Sequence, residues 1–289
     1  MENILEFDIA CLSLKWYDNE NEISNNCHRV VKCKAFVCAS LGLRRCAYGC
    51  FIFWEVIMRK IKEKLGYFSQ SEIALWCSSV VLIVFSFCIF DRESYLTLLA
   101  SLVGVTSLIF NAKGNPFGQF LMVIFSLLYG FISFAFAYYG EMITYLGMTM
   151  PMAVFALISW LRNPFNGNKA EVRVNTISRI ETVLMWAMTV VITVLFYFIL
   201  EHFKTANIVP STISVTTSFL AVYLTFRRSP YFALAYAAND IVLIVLWVLA
   251  SLCDIRYISV VICFVAFLAN DIYGYLSWQK MKKRQAMSN

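Results

Sequence analysis

Arg162–Glu181 reads RNPFNGNKAEVRVNTISRIE, the one substantial polar linker within a long apolar region. Four apolar runs precede it: Ile73–Phe90, Tyr95–Phe110, Phe117–Tyr139 and Met142–Leu161. Four follow: Thr182–Leu200, Ile208–Phe226, Tyr231–Leu252 and Tyr257–Leu276. At about 1.5 Å rise per residue, runs of this length match a hydrocarbon core of about 30 Å. They are continuously apolar rather than alternating, which points to helices and not to a barrel. The expected fold is an all-α polytopic membrane protein with eight transmembrane helices. With the first span set aside, the linker leaves three spans before it, one after it, and three more. Three spans reverse the direction of the chain and the lone helix restores it, so the two triplets run parallel, as in carriers with repeats about an axis along the membrane normal.

The chain has 60% hydrophobic and 15% charged residues, where a soluble protein has about 25% charged. Its net charge of +6 does not indicate nucleic acid, because the basic residues cluster at the ends of the apolar runs. If the first span starts inside, fifteen Lys and Arg residues of the flanks and loops fall on the inner side. They run from Arg59 through Lys113, Arg162–Arg179 and Arg227–Arg228 to Lys280–Arg284. Only Arg92, Lys204 and Arg256 fall outside, which places both termini in the cytoplasm. The segments expected are residues 1–57 as a cytoplasmic or interfacial extension, 58–93 as a basic flank and extra first span, and 94–161 as the first triplet. Residues 162–205 form the linker and connecting span, 206–279 the second triplet, and 280–289 a basic tail. Phe36–Met58 is apolar but carries Arg44 and Arg45 at its middle, so an interfacial segment is expected there. No secretory leader is expected in the polar first 34 residues.

Six of the ten cysteines (Cys11, Cys27, Cys33, Cys38, Cys46 and Cys50) lie in the first fifty residues without the paired spacing of a zinc site. No nucleotide-binding, metalloprotease or nucleophile-elbow motif is present, and His28 and His202 stand alone. No catalytic residue, metal or cofactor is expected, and transport ranks above enzymology.

Candidate site residues come from a repeated motif. Asn239–Trp247 reads NDIVLIVLW and Asn270–Trp278 reads NDIYGYLSW. Asn and Asp inside a membrane span mark a bundle interior or a polar pathway. The competing role is an interhelical hydrogen bond of about 0.6–2 kcal/mol. Asn239 and Asn270 each offer a donor and an acceptor, suited to sugar hydroxyls or an amide. Asp240 and Asp271 suit a ribose diol, a cationic ring or a proton relay. Trp278 lies where an interfacial aromatic belt would place it, whereas Trp247 is deeper. Tyr129, Tyr138, Tyr139, Tyr145, Trp160, Tyr236, Tyr273 and Tyr275 supply further aromatic surface for a flat polar ligand. Gly130 and Gly274 would let helices approach closely, and Pro151 should kink the fourth span.

The chain resembles the PnuC family of nicotinamide riboside transporters over about residues 70–285. The resemblance rests on FNAKGNPFGQ (110–119), LLYGFISFAFAYYGEMITYLG (127–147), ALISWLRNP (156–164) and the closing NDIYGYLSW, in that order and spacing. It implies a 3+1+3 SWEET-like core of two parallel triple-helix repeats behind one extra N-terminal span. It also implies homotrimers in the inner (plasma) membrane and facilitated diffusion of a small-molecule substrate without ion coupling. Uptake in such relatives is made one-way by a cytoplasmic riboside kinase. Site residues carried over are Asn239 and Asn270, with Trp160, Trp247 and Tyr273 as aromatic partners; Asp240, Tyr129 and Tyr236 remain candidates. This sequence departs from the family at TMPMAVFALISWLRN (149–163), where Pro151 stands near an expected glutamine and Ile158 near an amide, leaving Gln119 as the substitute. A deoxynucleoside or other vitamin is the rival substrate, and proton coupling through Asp240 or Asp271 the rival mechanism.

Overall fold

The computed structural model describes residues 66–135, 139–205 and 207–288. The expectations for residues 1–57, including Phe36–Met58 and the six N-terminal cysteines, lie outside the described residues. Eight helices are long and apolar enough to cross a membrane. They are α1 (Gln70–Phe90), α2 (Tyr95–Ala112), α3 (Pro116–Ala135), α4 (Tyr139–Leu161), α5 (Arg179–His202), α6 (Ile208–Phe226), α7 (Phe232–Ser251) and α8 (Ile258–Met287).

Six of them close a ring. Helix α2 packs on α3, α3 on α4, α4 on α6, α6 on α7, α7 on α8, and α8 back on α2. Helix α1 lies outside against α2 and α8, and α5 lies outside against α6. The most apolar windows of α1 and α5 are only 22% buried, against 50% for α2, α3 and α6, so the two outer helices present most of their surface to lipid. Residues such as Val183, Val191 and Phe198 are exposed on α5, an apolar surface that the rest of the chain leaves uncovered.

The two halves are fastened alike. Glu72 in the first turn of α1 pairs with Lys113, just after α2, at 3.1 Å. Glu181 in the first turn of α5 pairs with Arg227, just after α6. The turns that follow α2 and α6 also match: Gly114 and Arg228 both adopt positive φ (67° and 57°), each three residues after the carbonyl its N–H bonds. Close packing within the first half depends on glycine. A Cβ on Gly118 would lie 2.3 Å from Asn111 Oδ1 and 2.7 Å from the Asn111 backbone nitrogen, so α2 and α3 touch backbone to side chain at this point. Gly130 likewise admits Leu146 of α4. Gly274, expected to play the same role, has Ala233 and Ala112 at ordinary van der Waals distance.

Three features depart from the sequence reading. The linker folds into a hairpin, β1 (Pro164–Phe165) against β2 (Asn168–Val172), so the chain is not purely helical. Its Asn166-Gly167 turn has positive φ at both residues, the geometry a tight right-twisted hairpin requires. Second, the basic tail continues α8 to Met287. Its end is held by Gln285, which donates to Val172 O at 3.0 Å and accepts from Val174 N at 2.8 Å. Third, Pro151 follows a π-helical turn, Thr144–Thr149, within α4. Met150 N–H reaches back to Tyr145 O, and the widened turn changes which side chains of α4 face the ring interior.

Candidate functional site

Each ring helix carries a stripe of residues toward the ring axis at helical spacing. On α7 the stripe runs Tyr236, Asn239, Asp240, Leu243, Leu246 and Trp247, and on α6 it runs Ser211, Ser214, Ser218 and Val222. Helix α4 contributes Glu141, Thr144, Tyr145 and Thr149. The stripe runs through the π turn Thr144–Thr149.

These stripes line three cavities in succession. The first, of about 570 Å³, lies at the end marked by Asp91, Asp254 and Arg256, and shares Tyr129, Glu141 and Trp247 with the second. The second, of about 480 Å³, shares Tyr145, Thr149 and Ser218 with the third. The third, of about 510 Å³, lies at the level of Asn239 and Asp240, near the middle of α7. Tyr129 and Tyr145 pack with ring centroids 4.6 Å apart, between the outermost and central cavities.

Asn239 is oriented by α6. Its Oδ1 accepts from Ser214 at 3.2 Å, Thr217 at 2.8 Å and Ser218 at 3.0 Å. Its amide nitrogen is thereby left on the cavity side as a donor. Asp240 and Asp271 meet in the same wall, with carboxyl groups close enough to hydrogen-bond through one proton. Oδ2 of Asp240 is buried without a hydrogen-bond partner. Phe125, Tyr145, Tyr236 and Phe267 complete an aromatic enclosure around these polar groups. Among the described residues, no charged side chain beyond the two aspartates lines the central cavity.

The expected site residues divide. Asn239, Asp240 and Tyr236 line the central cavity, and Tyr129 and Trp247 line the two before it. Asn270, Trp160, Tyr273 and Gln119 line none of the three. Asn270 turns to α1, where its Nδ2 donates to Ser79 Oγ at 2.9 Å. Tyr273 OH donates to Glu72 at 3.2 Å, also on the α1 side. Gln119 Nε2 donates to Asn111 Oδ1 at 2.8 Å between α2 and α3. Trp160 is fully buried, bonded to Thr225 O at 2.9 Å and packed against Trp278 and Phe232. That aromatic layer sits on the linker side of the central cavity, where the first turn of α7 meets the last turn of α4. Trp278 is part of it, fully buried and not at a lipid interface.

Three groups of cavity-lining residues did not follow from the sequence reading as site residues. Ser214 and Ser218 stand four residues apart in a Ser/Thr-rich helix, a polar stripe that the repeated Asn-Asp motif overshadowed. Thr149 stands four residues after Tyr145, within the π turn, on the same face of α4. Phe125 and Phe267 look like ordinary core residues in a chain with 25 phenylalanines. Among the described residues, no group of His, Cys, Asp and Glu could hold a metal ion.

Comparison with known proteins follows this geometry. The family model described as Nicotinamide mononucleotide transporter matches residues 94–280. The nicotinamide riboside transporter PnuC of Neisseria mucosa is 26% identical over 230 residues, covering 78% of this chain and 87% of the relative. The protein of that name from Haemophilus influenzae is 24% identical over 196 residues, covering 66% and 82%. The crystal structure of the vitamin B3 transporter PnuC superposes with a TM-score of 0.65 at 24% identity, over 75% of this chain and 94% of that one, a likeness of fold. These relatives are transporters and not enzymes.

Proposed function

The chain belongs to the nicotinamide mononucleotide transporter family, and from that premise we propose that it carries nicotinamide riboside across the membrane through the ring of α2–α4 and α6–α8. The observation that carries this reading is the central cavity: an aromatic enclosure containing one amide and two carboxyl groups. A pyridinium ring bears a positive charge, which the Asp240–Asp271 pair attracts. The ring faces of Tyr145 and Tyr236 add a cation–π contribution of about 1–2 kcal/mol. Asn239 supplies the donor for a ribose hydroxyl or the carboxamide oxygen. Trp247 takes the ligand on its way in, and the stacking expected of Trp160 passes to the tyrosines.

The riboside is favoured over its phosphorylated form. Among the described residues, Arg256 is the one basic residue lining the three cavities, and it is already held by Asp254 at 2.7 Å. A phosphate entering this path would meet carboxylates and no free cation.

The mechanism we infer is facilitated diffusion by alternating access, with 94–161 and 206–279 acting as parallel SWEET-like repeats about the central site. The matched ion pairs and turns of the two halves support that arrangement. The basic-loop asymmetry supports cytoplasmic termini, with the Asp91–Asp254 end outside. The family resemblance adds the inner membrane, a homotrimer and trapping of the imported riboside by a cytoplasmic kinase.

Counterflow of labelled nicotinamide riboside in liposomes holding the purified protein tests the assignment. Saturable exchange, uninhibited by the mononucleotide, is expected. Exchange of deoxynucleosides or thiamine in its place would overturn the choice of substrate. A second reading, proton-coupled uptake, is favoured by the shared wall of Asp240 and Asp271. Accumulation above the external level under an imposed pH gradient would establish it against facilitated diffusion.

A further inference from the structure

The first cavity contains an acidic group that the central site does not use. Asp91 ends α1, retains 9% of its surface, and its Oδ1 has no hydrogen-bond partner. A carboxylate oxygen buried without a donor is costly unless a cation or donor comes to it. Asp254 and Glu141 line the same cavity. Arg256 lies near enough for Asp91 to act on it electrostatically, but its Nε and a terminal nitrogen are hydrogen-bonded to Asp254 at 2.9 and 2.7 Å, and among the described residues it forms no hydrogen bond with Asp91 or Glu141. That hydrogen bonding holds the Asp254 carboxyl below the usual carboxylate range. Among the described residues, neither Asp91 nor Glu141 forms an ion pair.

The rest of the wall is aromatic. Trp247 and Tyr257 pack with centroids 5.3 Å apart, and Tyr129 faces the same space. Carboxylates on separate walls, with no group of His, Cys, Asp and Glu among the described residues that could hold a metal ion, suit a bulky charge-delocalised cation better than a compact inorganic one. Glu141, Tyr129 and Trp247 also wall the second cavity, so a cation held here stands at the way to the centre.

We propose that this vestibule is a separate binding site for aromatic monocations, built around Asp91, where the substrate is captured before it reaches Asn239 and Asp240. The site extends the transport reading but does not depend on which riboside is carried, and its test uses a ligand without ribose.

N-methylnicotinamide chloride is titrated against the full chain in lipid nanodiscs, with intrinsic tryptophan fluorescence as the readout and uncharged nicotinamide as the control. A saturable response to the cation is expected in the wild type. It should weaken about tenfold, the loss of one good charge contact, in Asp91→Asn and return in Asp91→Glu. Ser94→Arg, which puts a positive charge on another wall of the vestibule, should abolish it whether or not Asp91→Asn folds. Unchanged binding in Ser94→Arg or in folded Asp91→Asn overturns the proposal. So does an equal response to neutral nicotinamide, or displacement by calcium at comparable concentration. A protein that exchanges no nicotinamide riboside yet shows this cation binding loses the substrate assignment and keeps the vestibule.

Discussion

Trp160 and Trp278 pack with ring centroids 5.4 Å apart, and each donates its indole N–H across to the other half of the ring. Trp160, at the end of α4, bonds Thr225 O in the last turn of α6 at 2.9 Å. Trp278, on α8, bonds Asn111 O in the last turn of α2 at 2.8 Å. Carbonyls in a last helical turn lack an intrahelical partner. Here each accepts one N–H from its own turn, Gly114 or Arg228, and one from the opposing tryptophan. The two bonds seal the linker side of the central cavity while the opposite side leads into two further cavities.

Removing one indole donor should loosen that seal. Trp278→Phe keeps most of the apolar volume but loses a buried hydrogen bond, at a cost of about 1 kcal/mol. Trp278→Ala also leaves a cavity and should cost about 3–5 kcal/mol. Thermal unfolding in detergent should rank wild type above Phe above Ala. Equal midpoints would mean that the seal is not carried by this residue.

Asn239 and Asn270 are expected to separate, although their sequence surroundings are alike. Asn239→Ala removes the cavity donor and orphans hydroxyls of α6, so affinity for the riboside should fall at least about tenfold. Asn270→Ala loses its bond to Ser79 of α1 and should lower stability with affinity intact. Calorimetry on the two folded variants distinguishes them, and equal affinity losses would contradict the placement of Asn270 away from the cavities.

The carboxyl pair gives a charge-specific prediction. Asp240→Asn, near isosteric, should weaken binding of the cationic riboside about tenfold and leave its uncharged dihydro form within about twofold. Equal weakening of both forms would assign Asp240 to hydrogen bonding or to packing.

Gly118→Ala tests the close approach of α2 and α3. Its new Cβ would meet backbone atoms of Asn111 and Ser107 at 2.7 and 2.8 Å, so the helices must move apart. A loss of about 1–3 kcal/mol is expected from such overpacking. Because Asn111 also receives Trp278, the unfolding midpoint should fall together with that of the tryptophan variants, and a variant as stable as wild type would show that the contact is not tight.

Sequence alone determined the lipid solvent and the eight spans, because hydrocarbon thickness acts on composition and length, which are local properties. It also marked Asn239, Asp240 and Tyr236 as unusual, since polar groups in a membrane span need an interior partner wherever they face. The hairpin in the linker and the Ser/Thr stripe of α6 did not follow from the sequence reading, which the repeated Asn-Asp motif dominated. Only tertiary structure decided that Asn239 faces a cavity while Asn270 faces α1, and that Trp160 and Trp278 close the ring. A helix presents each side chain at an angle set by its packing neighbours and, in α4, by one extra residue in a π turn, and neither is written in the residue's own identity.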